Sequence, residues 1–338
     1  MQAVILRKTK GLVVENLPLP QPDEDQVLVK VLYTGFCGSD HSLIENEGTP
    51  DGIILGHEVC GMVIEAGRKV RGVRPGTRVI IRPTFCQTCP GCLSGRPQLC
   101  SNNRRSIGIG DLPGGFAEFI LAYPRMLIPV PEQVDSKNAA LTELCAVSLH
   151  GIRVSGRETG SASVLGGGAI GLSLVKLLKL HNFFPIVVSE PMKEKRKLAL
   201  EFGADIVIDP LTENLVLQGY TITKGAGFNV VFECSGRKGL VPEAMNLAGP
   251  AGTICQLSVV YENIEINPAV LMFKELKLTA AYGNTHEENR QCLRWMSEGK
   301  LDVRPLITDM IALDELPQVY KERIHIGKTI KVLVHIGE

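Results

Sequence analysis

From Met1 to about Leu127 the chain runs in short apolar stretches broken by turn residues. Residues 26–32 read QVLVKVL, partly alternating, and residues 60–66 are followed by the turn-rich RKVRGVRPGTR before an apolar stretch at 79–81. Alternation with period two sends neighbouring side chains to opposite faces of a strand, so these stretches predict a small, irregular β-barrel. Near Ser136 the pattern changes: DSKNAALTELCAVSLHGIRV contains few breakers before Gly156 and predicts helix.

Between about Ser161 and Tyr282 apolar strands alternate with amphipathic helices. The strands fall at residues 163–166, 186–189, 206–208, 230–233, 253–257 and 278–281. Strand and helix in alternation predict a parallel sheet covered on both faces. The helix after the first of these strands carries Ile170, Leu174, Leu177 and Leu178 near the spacing of one buried stripe. Beyond Gly283, Thr285 and Glu288 form a capping box that starts a helix which Gly299 can end, and residues 329–335 predict a last strand long enough to return to the first domain.

Length fits two domains, since 338 residues are many for one core. A composition 44% hydrophobic and 21% charged is that of an ordinary globular protein. Thirty-six basic residues balance 36 acidic ones, so no net field draws the chain to nucleic acid or an anionic membrane, and the expected partner is a small molecule. The apolar run in MQAVILRKTK is too short for a signal peptide, and nowhere do eighteen apolar residues run together. A cytoplasmic protein is therefore expected, with the ten cysteines serving as metal ligands or buried thiols rather than disulfides.

Cys86, Cys89, Cys92 and Cys100 form C-x2-C-x2-C-x7-C, with Pro90, Gly91 and Gly95 allowing tight turns. Four thiolates close a tetrahedral site and leave no open position, which predicts a structural zinc. An iron–sulfur cluster competes, but the ferredoxin run has a shorter last interval followed by proline, whereas Ser101 follows Cys100 here. A zinc ribbon on nucleic acid also competes; Arg96, Arg104 and Arg105 are near, yet the chain is neutral and poor in aromatics. A second ligand set lies in residues 35–58, where Cys37 and His57 offer thiolate and imidazole to a catalytic zinc. Taken alone, a Cys and a His this far apart are more often a buried thiol and a structural histidine.

Residues 164–171 read VLGGGAIG, so that Gly166, Gly168 and Gly171 fit G-x-G-x-x-G. The first permits the tight turn, the second lets backbone approach a pyrophosphate, and the third lets the helix pack on its strand. Glu190 ends the next strand, where a carboxylate accepts hydrogen bonds from the adenosine ribose and repels a 2′-phosphate, which predicts NAD. Lys193, Lys195 and Arg196 lie just beyond and leave room for phosphate.

In order and spacing, GFCGSD with GHE, the four-cysteine lobe and the glycine turn resemble the zinc-dependent medium-chain alcohol dehydrogenases across nearly the whole chain. ALTELCAVSLHG, residues 140–151, is similar to a segment of their polyol, butanediol and threonine dehydrogenase branch. The resemblance implies a GroES-like catalytic domain, residues 1–147 completed by 283–338, and a doubly wound Rossmann domain, residues 148–282. It further implies a zinc held by Cys37 and His57, with Glu58 and Glu143 or its water completing the shell. Asp40 would orient the imidazole, and Ser39 would pass the substrate proton on. Two zinc ions per chain, NAD as cofactor, oxidation of a secondary alcohol, diol or amino alcohol to the ketone, and a homo-oligomer are the expectations.

Two positions depart from the family pattern. The histidine often found five residues after the cysteine is Ser42, and His41 comes one residue early. Ala281 stands where the polyol enzymes often carry an arginine, which predicts short secondary alcohols or vicinal diols as better substrates than sorbitol. An NADP-dependent reductase and a non-catalytic nucleotide-binding protein are the alternative readings.

Overall fold

The computed structural model describes residues 1–337. The chain forms two units, Met1–Glu143 with Thr285–Glu338, and Leu144–Asn284. Helix Thr142–Ser155 crosses the boundary between them.

The first unit is built on a sheet ordered Ile307–Ala312, Lys331–His335, Val27–Phe36, Glu58–Ala66, Arg78–Ile81, Leu127–Pro129, with Phe119–Ala122 also pairing Val27–Phe36. Every neighbour pair is antiparallel except Ile307–Ala312 with Lys331–His335. Val27, Val29 and Val31 share one face of their strand and enter an apolar core with Val59, Val63, Val79 and Ile120, while the other face, with Leu28 and Leu32, is buried as well. The strand predicted at 26–32 continues to Phe36, so its end delivers Cys37 directly. Gly35 lies between Glu58 and Leu333 in register. A Cβ on Gly35 would stand 1.9 Å from Glu58 Oε2, so only glycine leaves that carboxylate its place.

The predicted helical run from residue 135 is two helices, Ser136–Ala140 and Thr142–Ser155. Asp135 caps the first by accepting from the Lys137 and Asn138 N–H groups, and the Thr142 hydroxyl donates to Ala139 O at 2.7 Å, turning the chain at Leu141. Thr285 and Glu288 form the expected capping box of helix His286–Ser297.

The second unit is a parallel sheet ordered Ile206–Ile208, Phe183–Ser189, Gly160–Leu165, Phe228–Glu233, Ala248–Gln256, Lys277–Ala280. Numbered within the unit, that order is 3-2-1-4-5-6, the doubly wound arrangement in which ligands bind outside the carboxyl ends of strands 1 and 4. Helix Ala169–Leu180 buries Leu174, Leu177 and Leu178 of the predicted stripe and leaves Ile170 half-buried in the first turn. Among the described residues no helix is long and apolar enough to cross a membrane.

Candidate active site

Three sets of predicted residues come together, two in the first unit and one in the second. Cys37 sits at the N-cap of helix Gly38–Glu45, where its N–H donates to Asp40 Oδ2 at 2.9 Å. Asp40 is fully buried, and its other oxygen accepts from Gly56 N–H at 3.1 Å and lies 3.4 Å from His57 Nδ1. One ligand atom each of Cys37, His57 and Glu58 lies within 4.8 Å of the others. The Ser39 hydroxyl is 3.3 Å from Cys37 Sγ and 3.5 Å from His57 Nε2.

Burial alone would drive the proton off His57, but the charges of Asp40 and Cys37 outweigh it and hold the imidazole pKa well above its ordinary value. Glu58 accepts from Lys331 Nζ through both oxygens at 2.8 Å, and that ammonium also donates to Phe36 O at 3.1 Å. Burial lowers the Lys331 pKa, yet Glu58 and then Cys37 raise it further, so its net shift is upward. Glu143 stands outside the close ligand group and pairs with Arg82 at 3.1 Å. Burial is the largest influence on Arg82 and lowers its pKa, against Glu143 and Glu58. A half-buried thiol converging with a buried imidazole and a buried carboxylate fits a borderline-soft dication such as zinc.

His41 is not in this group; its Nδ1 contacts Tyr320 Oη at 2.9 Å. Ser42 donates to Gly38 O of its own helix. Lys331 and Arg82 are site residues that sequence reasoning missed. A lysine inside the apolar strand KVLVH and an arginine straight after the apolar RVII were the available signals.

In the cysteine lobe the sulfurs of Cys86, Cys89, Cys92 and Cys100 lie within 4.8 Å of one another, with Cys86–Cys92 at 3.8 Å and Cys89–Cys92 at 3.5 Å. Bonds of about 2.3 Å to a tetrahedral zinc put sulfurs roughly 3.8 Å apart, so the lobe has the right size. Backbone N–H groups of Cys92 and Ser101 bring the Cys89 thiol down to about 5, whereas burial and Cys89 push Cys92 up to about 12.

In the second unit, Gly166 adopts φ +107° at the end of strand Gly160–Leu165. A Cβ on Gly168 would meet nothing within 4 Å, whereas one on Gly171 would stand 1.9 Å from Gly166 O. The turn, the open approach and the close packing fall on the three predicted glycines, and the first turn of helix Ala169–Leu180 faces the open one. Glu190 is buried and accepts from Gly167 N–H at 2.8 Å and Met192 N–H at 2.9 Å. Arg196 is tied down by Asp209 at 2.9 Å and by the carbonyls of Glu190 and Pro191. Lys193 is exposed.

This is the architecture and donor chemistry of a zinc-binding dehydrogenase. Residues 23–132 match the alcohol dehydrogenase GroES-like domain, and residues 169–298 the zinc-binding dehydrogenase domain. The chain is 31% identical over 333 residues to a sorbitol dehydrogenase of Halalkalibacterium halodurans, with 96% of each chain covered. It is 30% identical over 342 residues to an L-threonine 3-dehydrogenase of Pyrococcus horikoshii, covering 98% of this chain and 97% of that one. A solved zinc-binding dehydrogenase from Sinorhizobium meliloti 1021, bound to NADP, superposes with TM-score 0.91 at 36% identity, covering 99% of this chain and 98% of that one. The chain belongs to the zinc-dependent medium-chain alcohol dehydrogenases and is an oxidoreductase acting on alcohols.

Proposed function

We propose that the protein oxidises a secondary alcohol, a vicinal diol or an amino alcohol to the ketone with NAD. The observation that carries this reading is the convergence of Cys37, His57 and Glu58 with the Ser39 hydroxyl against two of those side chains. When bound, zinc supplies stabilisation of an alkoxide and the nicotinamide accepts a hydride. Cys37 and His57 would hold that ion, with Asp40 fixing the imidazole. Lys331 holds Glu58 and Arg82 holds Glu143, so either carboxylate completes the shell only by sharing its charge with a buried cation. Ser39 takes the alcohol proton, and His41, four residues beyond Cys37, returns it towards solvent. A second zinc would sit in the four-cysteine lobe with no open position.

Gly166, Gly168 and Gly171 would cradle the pyrophosphate, and Glu190 would accept from the ribose hydroxyls. A buried carboxylate repels a 2′-phosphate, and Arg196 is engaged with Asp209, which supports NAD. NADP is the competing reading, favoured by the nucleotide in the Sinorhizobium relative and by the exposed Lys193. Both named curated relatives act on hydroxylated carbon chains, sorbitol or threonine. Ala281 lacks the charged donor that would grip a polyol, so short secondary alcohols or vicinal diols should outperform sorbitol.

The thiolate ligands need a reducing compartment, which supports the cytoplasm. Strand Lys277–Ala280 is a sheet edge, with Leu278, Phe273, Met272 and Tyr261 exposed beside it in sequence, and we assign this face to a second copy in a homo-oligomer. The functional test is a panel of 2,3-butanediol, threonine, sorbitol and simple secondary alcohols with NAD and with NADP, read as absorbance of the reduced cofactor. NAD reduction with a secondary alcohol supports the reading, while equal kcat/KM for both nucleotides, or activity with none of the panel, contradicts it.

A further inference from the structure

His41 and Glu45 are four residues apart on helix Gly38–Glu45, a spacing that stacks two side chains on one face. His325, which follows the segment Tyr320–Ile324, joins them from the far end of the sequence. One ligand atom of each lies within 4.8 Å of the others, and His325 Nδ1 is 3.5 Å from Glu45 Oε1. Ligand atoms on a tetrahedral ion with bonds of about 2.0–2.1 Å stand roughly 3.3 Å apart, so small side-chain rotations close the set.

The set is held together before any ion arrives. The Tyr320 hydroxyl lies 2.9 Å from His41 Nδ1 and donates to Glu45 Oε1 at 2.7 Å. That hydrogen bond, with the two imidazoles nearby, lowers the Glu45 pKa and keeps it an acceptor. Hydrogen-bonded carboxylates and imidazoles held by an outer group are the usual surroundings of a metal. The side chains of Glu45 and His325 are each 50% exposed, so a hydrated cation can reach them from solvent.

We infer that His41, Glu45 and His325 form a third, solvent-accessible site for a borderline transition-metal ion, distinct from the cysteine lobe and from Cys37 and His57. Two imidazoles and one carboxylate select zinc, nickel, copper or cobalt over magnesium and calcium, which take all-oxygen shells. Water fills the remaining positions. The entering cation competes with the Tyr320 hydroxyl for Glu45, so Tyr320 is an orienting group and not a ligand.

The test is titration of the protein as purified with NiCl2 in the presence of excess MgCl2, followed by gel filtration and a count of nickel and zinc per chain. One nickel should bind per chain with the original zinc retained. His325→Ala and Glu45→Gln, both at exposed positions, should each weaken it by more than the roughly 10–100-fold that losing an outer-shell partner costs. Tyr320→Phe should keep the nickel. Nickel gained only as zinc is lost, an equivalent that persists unchanged in both ligand variants, or one that disappears in Tyr320→Phe while surviving in His325→Ala, would overturn the assignment.

Discussion

Replacing Lys331 by methionine roughly keeps the length of the side chain and removes the ammonium that contacts both carboxylate oxygens of Glu58. Lys331 is 3% exposed and Glu58 is fully buried, with 2.8 Å between Nζ and each carboxylate oxygen. At that distance and an effective dielectric of about 20 the attraction is roughly 6 kcal/mol, and breaking a buried pair from one side costs about 3–5 kcal/mol. The orphaned carboxylate can instead take a proton. For an ordinary glutamate of pKa about 4.3 this costs roughly 3.7 kcal/mol at pH 7, at 1.36 kcal/mol per unit. The destabilisation should therefore approach about 3–4 kcal/mol at pH 7 and shrink by roughly 1.4 kcal/mol for each unit of acidification towards pH 5, because the proton becomes easier to acquire. Trp295 is the chain's single tryptophan and lies in the same unit, so its fluorescence reports this transition. With a urea m-value of about 2–3 kcal/mol per M, the midpoint should fall by roughly 1–2 M at fixed metal content. Glu58→Gln in the Lys331→Met background should recover part of the loss. A midpoint shift of a few tenths of a molar, flat between pH 5 and 7, would refute the reasoning.

Three further outcomes follow from the site. Ser39→Ala should lower kcat by roughly 10²-fold or more, the value of one positioned proton-transfer group, while His41→Ala should mainly alter the pH profile; kcat against pH for both variants checks this. Glu190→Ala should lower kcat/KM for NAD roughly 10–100-fold, the equivalent of charged hydrogen bonds worth about 1.5–3 kcal/mol, and leave NADP less affected, as initial rates with each nucleotide will show. Cys89→Ser should remove one zinc equivalent and lower stability, with the other equivalent retained, as metal analysis beside thermal unfolding will show.

What the sequence made legible was whatever a local pattern encodes. The glycine turn, the four-cysteine lobe and the Thr285 capping box depend on residues within about fifteen positions of one another, and each reads directly from spacing. The pairing of Lys331 with Glu58 joins residues 273 apart, and a strand pattern does not say which neighbour a buried lysine will meet. Arg82 and Glu143 present the same difficulty across 61 positions. His325 carried no local motif, and only the return of the chain's last segment sets it beside His41 and Glu45. Helix Ser136–Ala140 ended early because the Thr142 hydroxyl bonds back to Ala139, a side-chain choice that apolar periodicity does not register.

Zinc content measured beside NAD reduction, in wild-type protein and in His57→Ala, tests the central claim most directly. The wild type should carry two zinc equivalents per chain and reduce NAD with a secondary alcohol. His57→Ala should fold, keep the zinc of the four-cysteine lobe, lose the other and lose turnover. A His57→Ala protein that reduces NAD at the wild-type rate, or one that retains both zinc ions, would contradict the assignment of Cys37 and His57 to the reacting metal.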